Sequence, residues 1–378
     1  MKRRMRLNMP TKPRVILLAF DGFPLHAFSE ALTPNLWQLG QEGGFSPDGG
    51  MTGVPSTTYP SFATLLTGAS QSRTGIRTTA QQLGAVPGWA GGNRTRVPTI
   101  VHAALDAGLR AAVVMGDQKL QQVLLLDTIE RAWPPAALLP DGTEVDSHGY
   151  PTNAAVRPHA VQAAADSDLD LLFIHLNETD TLGHDLGPSA AETMECVRAA
   201  DRIVGEIVEA LAPDWDRTVI AVASDHDMVR RLPYPTIDPT ASLECAGLVD
   251  DWIADGCAAW LRLTHGVDPH MAISRLAALD GVEGWRWREP NVLLLLAAPG
   301  RTFAAPWIPV SGIHGSTATD RTLAIVGGGH PAVAEIGASI AARPPRLRDW
   351  APTLAGVLNI DLPDAEGVNL LSGDAVSA

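Results

Sequence analysis

Apolar runs of strand length alternate along this chain with segments whose apolar residues recur at helical spacing. The runs lack the in-and-out alternation of half-exposed strands, which is typical of parallel strands covered by helices on both faces. They are RVILLAF (14–20), LRAAVVMG (109–116), LDLLFIHL (169–176) and TVIAVAS (218–224). Helices are predicted over 33–39, 98–108 and 189–211. The pattern predicts a doubly wound α/β fold, with a mostly parallel central sheet flanked by helices and with ligands at the carboxyl ends of the strands.

The composition and hydrophobic pattern of the sequence change between His226 and His314. Residues 240–300 contain the Trp-rich GWRWREP, the strand-like VLLLLAAPG and an amphipathic helix around PHMAISRLAAL. We interpret this region as a smaller α+β cap inserted into the core. The expected division is a core over 1–235, a cap over 236–305 and completion of the core over 306–378. The Gly-rich stretch 80–97 is expected to form a loop near the mouth of the site.

Composition narrows the function classes. The chain has 378 residues, 46% of them hydrophobic, and a net charge of −14. This charge disfavours non-specific binding to a nucleic-acid polymer, which requires a basic surface. No apolar run approaches the ~18 residues that span a bilayer, and VILLAF is too short for a signal peptide. The three cysteines lack CxxC spacing, so we expect no disulfides and a cytoplasmic protein. The sequence gives no indication of oligomeric state.

Acidic and histidine residues follow several of the apolar runs. Carboxylates and imidazoles in such positions suit a divalent metal site, because each strand fixes the position of the ligand that follows it. Two adjacent ligands cannot point the same way inside a regular strand, so Asp225 and His226 are expected where a strand ends. The candidate ligands are Asp21, Asp180, His184, Asp225, His226 and His314.

A family resemblance becomes specific at these residues. The ordered segments AFDGF, STTYPSFATLLTG, NETDTLGHDLGP, ASDHDM and GIHGS resemble the metal and nucleophile blocks of the alkaline phosphatase superfamily. The resemblance is strongest to its nucleotide pyrophosphatase/phosphodiesterase branch and extends from residue 14 to about 360. It implies an alkaline phosphatase-like core with two divalent ions, with Zn favoured and Mn or another ion left open. One implied ligand set is Asp180, His184 and His314; the other is Asp21, Asp225, His226 and Thr58.

Thr58 is the expected nucleophile. It is preferred over Ser56 and Thr57 because it precedes Tyr59-Pro60, and SFATLLTG can begin a helix whose amino-terminal dipole favours an alkoxide or phosphate. Coordination to a divalent cation lowers the pKa of a hydroxyl and makes it a usable attacking group. The mechanism implied is in-line attack on phosphorus, which gives a covalent phospho-threonine or nucleotidyl-threonine that water on the other metal then hydrolyses.

Three positions depart from family patterns. Thr79 lies where nucleotide pyrophosphatases carry an Asn that holds a phosphoryl oxygen, and its hydroxyl can still donate one hydrogen bond. Phosphonoacetate hydrolase has two lysines in a segment where this chain offers Lys119 and places Asp117 at the other position. Thr79 and Lys119 are therefore candidate substrate-binding residues. Asp227 replaces the usual Gly after the Asp-His pair, as a surface residue or as a charge that tunes the site.

The favoured function is hydrolysis of a small phosphate ester or nucleotide by a phosphodiesterase or nucleotide pyrophosphatase. The metal blocks contain no extra Arg or Lys for a monoester, and Arg73 and Arg77 are interpreted as solvated. Phosphonoacetate hydrolase-like or phosphomonoesterase activity is the alternative. TTYPSFATLLTG argues against a phosphomutase, and the full set of functional positions argues against a non-catalytic binding protein. The remaining histidines, His148 and His175 among them, are interpreted as surface or structural groups.

Overall fold

Two main β-sheets and their flanking helices make up the fold in the computed structural model, which describes residues 12–79, 94–303 and 310–371. The expected loop 80–97 therefore lies mostly outside the described residues. The strands are β1 (Arg14–Phe20), β2 (Gly44–Phe45), β3 (Gly50–Met51), β4 (Ala111–Val114), β5 (Ala132–Trp133), β6 (Leu171–Leu176), β7 (Thr218–Ser224), β8 (Val229–Arg230), β9 (Val249–Asp255), β10 (Ala258–Leu263), β11 (Val282–Glu289), β12 (Val292–Ala297), β13 (Gly312–Ile313), β14 (Arg321–Thr322) and β15 (Ala324–Gly327).

The helices agree with the predicted ones to within a few residues at their ends. The helix predicted from Thr33 to Leu39 continues to Glu42, and the one predicted over 98–108 is shorter at both ends. The helices are α1 (Pro34–Glu42), α2 (Thr58–Thr67), α3 (Gln71–Thr74), α4 (Ile100–Asp106), α5 (Gln118–Val123), α6 (Asn153–Ala165), α7 (Glu178–Leu186), α8 (Ala191–Leu211), α9 (Pro269–Leu276), α10 (Ala332–Ala342) and α11 (Trp350–Leu358). Among the described residues, no helix has the length and apolar character that crossing a bilayer requires.

The larger sheet has the strand order β2-β15-β7-β1-β6-β4-β5. The strands from β7 through β5 pair in parallel, and β15 and β2 add an antiparallel edge. All seven residues of β1 are buried, as expected for a central strand with helices on both faces. The predicted mostly parallel, doubly wound core is confirmed.

Alternate residues of β1 pack into two separate apolar layers. Leu17 belongs to the layer under α2, α4, α10 and α11, and Leu18 belongs to the layer under α1, α6 and α8. Both side chains are at most 1% exposed. Full burial of such a side chain contributes about 1.5–3 kcal/mol, so Leu17→Ala would cost about 2–5 kcal/mol once the cavity is included. These two layers hold the carboxyl ends of the strands rigid.

The second sheet is antiparallel, with the order β11-β12-β10-β9, and packs with α9 around its own apolar cluster. VLLLLAAPG supplies β12, and GWRWREP supplies part of β11. The strands of this sheet lie within 236–305, the range expected for the cap, although the boundaries themselves stay a prediction. The β9–β10 turn returns to the core, where the Cys257 N–H donates to the His314 carbonyl over 2.8 Å.

Candidate active site

The candidate site lies at the carboxyl edge of the central strands. Asp21 directly follows β1, and its N–H donates to the Leu176 carbonyl at the end of β6. Asp225 and His226 directly follow β7, where the backbone leaves the strand as predicted. Because parallel strands end at one edge of the sheet, segments far apart in the sequence meet there.

Gly22 shows how closely these segments approach each other. Its φ is +58°, and its N–H donates to Asp225 Oδ1 over 3.0 Å. A Cβ at this position would lie 2.7 Å from Asp180 Oδ1 and 2.9 Å from the Asp180 Cα. Only glycine combines this backbone conformation with the space that Asp180 requires.

Asp180, His184 and His314 form the first group. Asp180 and His184 lie one turn apart on α7, with 3.5 Å between Asp180 Oδ1 and His184 Nε2. The two histidine Nε2 atoms are 3.1 Å apart, and His314 Nε2 lies 3.8 Å from Asp180 Oδ1. His184 Nδ1 donates to the Gly312 carbonyl, and His314 Nδ1 donates to the Ser56 carbonyl. These bonds leave both Nε2 lone pairs free for a metal ion.

Asp21, Asp225, His226 and Thr58 form the second group. His226 Nε2 lies 3.1 Å from Asp225 Oδ2 and 3.6 Å from Asp21 Oδ1. Thr58 Oγ1 lies 3.3 Å from His226 Nε2 and 3.4 Å from Asp21 Oδ1. The His226 ring also stacks on the His314 ring, with 3.7 Å between their centroids, so the two groups adjoin.

The donor set fits divalent ions. Tetrahedral ligands about 2.0–2.1 Å from a shared Zn²⁺ lie about 3.3 Å from one another, close to the separations seen here. Three carboxylate oxygens are buried without a hydrogen-bond partner among the described residues, an arrangement that a bound cation would satisfy. They are Asp21 Oδ2, Asp180 Oδ1 and Asp225 Oδ2.

The pKa shifts that the protein itself causes also favour a cation at this site. Burial raises the pKa of Asp180 to about 7 and the pKa of Asp225 well above its ordinary value. Burial also lowers the pKa of His226 to about 3, so its ring is neutral and able to act as a ligand. A divalent cation reverses the penalty on the carboxylates, because it becomes the largest local charge.

Thr58 is the first residue of α2. Thr57 is extended and occupies the N-cap position without a side-chain capping hydrogen bond, and Gly68 ends the helix in the left-handed conformation. The first backbone N–H groups of a helix have no acceptor within the helix. Together with the helix dipole, they favour a negative charge at its amino terminus. Thr58 itself is 8% exposed, and of the three candidate hydroxyls it is the one placed against the metal-ligand group.

His175 lies beside the candidate site, a position that the sequence interpretation as a surface or structural histidine did not predict. It is fully buried in β6 beside Ala19 of β1, and its Nε2 lies 3.4 Å from Asp21 Oδ2. Burial lowers its pKa to about 4, and the edge of Phe62 packs against its ring. An imidazole inside an otherwise apolar strand was the available signal in the sequence.

Asp255 is a second residue that the sequence reasoning missed. It ends β9 and accepts the Thr79 N–H at Oδ2 over 2.9 Å, which connects the cap sheet to the segment that follows α2 and α3. Burial raises its pKa to about 6. The Thr79 Oγ1 is buried without a hydrogen-bond partner among the described residues. The dipeptide Asp255-Gly256 is typical of a hairpin turn. The sequence therefore gave no indication that Asp255 also contacts Thr79.

Asp117 and Lys119 have different surroundings. The Asp117 carboxylate caps α5 by accepting the N–H groups of Lys119 and Leu120, and it is buried. Lys119 is exposed, with Nζ 4.6 Å from the centre of the Tyr150 ring. The side chain of Tyr150 in turn interacts with that of Tyr59, the neighbour of Thr58. Lys119 is therefore connected through two tyrosines to the segment that contains Thr58.

Three further residues are clarified by the structure. Asp227 is partly buried, and its carboxylate accepts the N–H of the next residue, Met228. It therefore stabilises the loop in which it lies. His148 pairs with Asp185, with its ring 6.2 Å from that of His184. Arg77 was expected to be solvated, which is wrong. Its side chain is 15% exposed because it pairs with Glu289 of the cap.

The family model described as type I phosphodiesterase / nucleotide pyrophosphatase matches residues 15–253. Human ectonucleotide pyrophosphatase/phosphodiesterase family member 7 is 29% identical over 237 residues, which are 57% of this chain and 48% of the human protein. The chain therefore matches about half the length of this curated relative.

Solved structures are similar over nearly the whole chain. Phosphonoacetate hydrolase from Sinorhizobium meliloti 1021, in complex with phosphonoformate, superposes with a TM-score of 0.68 at 20% identity, covering 92% of this chain and 96% of the other. Inactive murine ectonucleotide pyrophosphatase/phosphodiesterase 5, in complex with AMP, also gives 0.68, at 16% identity and with 95% and 99% coverage. These likenesses show a shared fold. The family model covers more than half of the chain, and it shows that the chain belongs to the type I phosphodiesterase / nucleotide pyrophosphatase family.

Proposed function

We propose that this protein is a two-metal hydrolase of phosphoric diesters or nucleotide pyrophosphates, with Thr58 as its nucleophile. The observation that carries the proposal is the position of Thr58 Oγ1 at the start of a buried helix. There it lies within 3.4 Å of both Asp21 Oδ1 and His226 Nε2, beside the second group of candidate ligands. A hydroxyl held by potential metal ligands at a helix amino terminus suits attack on a phosphoryl group.

Each part of the site has a task in this reaction. Two divalent ions, held by the two groups, would lower the pKa of the Thr58 hydroxyl and neutralise the charge on the phosphoryl oxygens. Thr58 Oγ1 attacks phosphorus, and the bond from phosphorus to the leaving alcohol or phosphate breaks. The covalent intermediate is a phosphoryl- or nucleotidyl-threonine that still carries the second ester group, and the Thr58 proton leaves with the alcohol or passes to water. Water then cleaves the bond between Thr58 Oγ1 and phosphorus, which releases the phosphate monoester and restores the hydroxyl. The first N–H groups of α2 stabilise negative charge on the phosphoryl group through both steps.

The substrate-binding residues belong to the proposal as well. Asp255 holds the Thr79 backbone, which leaves the buried Thr79 hydroxyl as a donor for a phosphoryl oxygen. Lys119 lies on the Tyr150 ring and supplies a positive charge at the end of the contacts that lead to Thr58. A nucleotide is the favoured substrate class, supported by the AMP complex of the murine relative.

Zinc and a cytoplasmic location complete the proposal. Imidazole and carboxylate donors suit Zn²⁺, and Mn²⁺ remains the alternative. The three cysteines are buried free thiols, which supports a reducing compartment.

Phosphonoacetate hydrolysis is the second candidate, favoured by the fold likeness and by Lys119. The buried carboxylate of Asp117 weighs against it. This side chain caps α5 at the position expected for a second lysine, so it cannot bind a substrate carboxylate.

The test is a substrate screen on protein reconstituted with Zn²⁺ or Mn²⁺. Bis(4-nitrophenyl) phosphate, a 4-nitrophenyl nucleotide diester, 4-nitrophenyl phosphate and phosphonoacetate are compared by kcat/KM. Acid-quenched reactions are analysed by mass spectrometry for a phosphoryl, 4-nitrophenylphosphoryl or nucleotidyl group on the Thr58 peptide. The proposal predicts the highest kcat/KM for a diester, together with a labelled Thr58 peptide. Highest efficiency on phosphonoacetate would favour the second candidate, and hydrolysis without any label on Thr58 would contradict the covalent mechanism.

A further inference from the structure

A cavity of about 540 Å³ lies between the cap sheet and the core, apart from the candidate metal ligands. Strands β10 and β11 form its cap side. On the core side it is bounded by 51–54, by α3 and by 346–348, just before α11. None of the candidate metal ligands lines it. We call it the arginine cavity, after Arg77, Arg286, Arg288, Arg346 and Arg348 in its wall.

The charge of this cavity is opposite to that of the chain. The protein carries a net charge of −14, yet among the described residues the charged side chains lining the cavity are five arginines and one glutamate. That glutamate, Glu289, is paired with Arg77. Arginines gathered in one cleft repel one another, and the repulsion is relieved when an anion binds between them.

The arginines are held in place by an aromatic support. The guanidinium carbons of Arg77 and Arg288 lie 6.0 and 5.8 Å from the centre of the Trp260 ring, which is 2% exposed. Arg288 also donates to the Val54 carbonyl. Planar guanidinium groups fixed in this way lose little freedom when they bind phosphate or carboxylate oxygens.

Two buried donors in the cavity wall lack acceptors. Trp260 Nε1 and Arg348 Nε have no hydrogen-bond partner within the described residues. Buried donors in native proteins are nearly always paired, so these two N–H groups are polar positions in the wall that no protein acceptor neutralises. They add to the positive character of the wall around the cavity.

We propose that the arginine cavity is a binding site for an oligophosphate anion, separate from the metal site and independent of the hydrolytic function. Several guanidinium groups around one cleft suit a chain of phosphates better than a single one, since each phosphate can take its own bidentate arginine. Trp287 is 40% exposed and also lines the cavity, where it offers a stacking surface for a nucleoside base. An occupant would contact the cap and the core together.

The experiment is isothermal titration calorimetry with sodium tripolyphosphate and with ATP. Full-length protein is titrated after metal removal on a chelating resin and again after reloading, because binding to the arginine cavity does not require a metal. The test variant is Arg286→Gln/Arg346→Gln, at two exposed positions. The matched control, Arg198→Gln/Arg202→Gln, removes the same charge from exposed positions on α8.

We expect one saturable site in metal-free protein, with a Kd that rises about tenfold or more in the test variant and stays unchanged in the control. Loss of hydrogen bonds to charged groups corresponds to an effect of this size. Tighter binding of ATP than of tripolyphosphate, reversed by Trp287→Ala, would identify a nucleotide site; equal binding would identify an inorganic oligophosphate site. Absence of saturable binding in metal-free wild-type protein overturns the proposal, as does equal binding by test and control variants. Circular dichroism checks that each variant is folded. If the double variant does not fold, Arg286→Gln and Arg346→Gln are tested separately.

Discussion

Replacing Asp255 by Asn should make stability less dependent on pH. Asp255 is 9% exposed, and burial raises its pKa from 3.8 to about 6. The folded state therefore binds a proton more tightly than the unfolded state, so this group stabilises the fold below pH 3.8. That contribution is lost as the pH rises through about 6. A difference of roughly two pKa units corresponds to about 3 kcal/mol in the free energy of unfolding.

The Asn side chain has no such titration, while its oxygen can still accept the Thr79 N–H. Between pH 4 and pH 7.5, the free energy of unfolding of the Asn variant should therefore rise relative to that of wild type by about 2.4 kcal/mol, because a small part of the full effect is already lost at pH 4. Urea unfolding of metal-free protein, followed by far-ultraviolet circular dichroism across this range, measures the difference. The exposed Asp250 on the same strand provides the control variant, Asp250→Asn.

A difference between Asp255→Asn and wild type that stays constant across this pH range would refute the reasoning. It would mean that the Asp255 carboxyl group has the same pKa in the folded and unfolded states, so that burial does not penalise its charge. If the variant becomes more stable at pH 7.5 and also loses turnover, the charge is retained for function at the expense of stability, a common relation at active sites.

Four further results are expected. Removal of metal should abolish hydrolysis and Zn²⁺ or Mn²⁺ should restore it, while His314→Ala should lower the metal content in elemental analysis; full activity in metal-free protein would contradict this. Thr58→Ala should reduce kcat by several orders of magnitude while costing only ~1 kcal/mol of stability as a lost helix-start hydroxyl, with Thr57→Ala as the matched control. An aryl diester should be cleaved with about ten-fold higher kcat/KM than its monoester, or ~1.4 kcal/mol in transition-state free energy, and equal values would indicate a phosphatase. Gly22→Ala should reduce both metal content and thermal stability, because the new Cβ collides with Asp180.

The sheet and most of the site could be predicted from the sequence. Long buried strands are visible as apolar runs, and the carboxyl ends of parallel strands meet at one edge. Asp21 and Asp225 were therefore expected together from their places after two such runs, and the structure brings them together. The grouping of ligands around individual ions rests on the family resemblance and stays a prediction, since His226 adjoins both groups.

Two of the missed contacts, those of Asp255 and Arg77, share a physical cause. Asp255 contacts Thr79 across 176 positions, and Arg77 pairs with Glu289 across 212. Such contacts depend on how the cap sits on the core, and no local periodicity encodes that placement. His175 differs, because its neighbours follow from strand pairing alone. A polar residue inside an apolar central strand, such as His175, is best interpreted together with the neighbouring strand and the residues that follow it.

The bond between the Cys257 N–H and the His314 carbonyl has a consequence for protein engineering. The β9–β10 turn is in direct contact with the backbone of a candidate metal ligand, and a Cβ on Gly256 would lie 2.3 Å from the same carbonyl. Exchanging the cap for that of a relative, in order to alter specificity, would therefore also displace His314. Chimeras should keep residues 255–258 from the parent and place their junctions further along the strands.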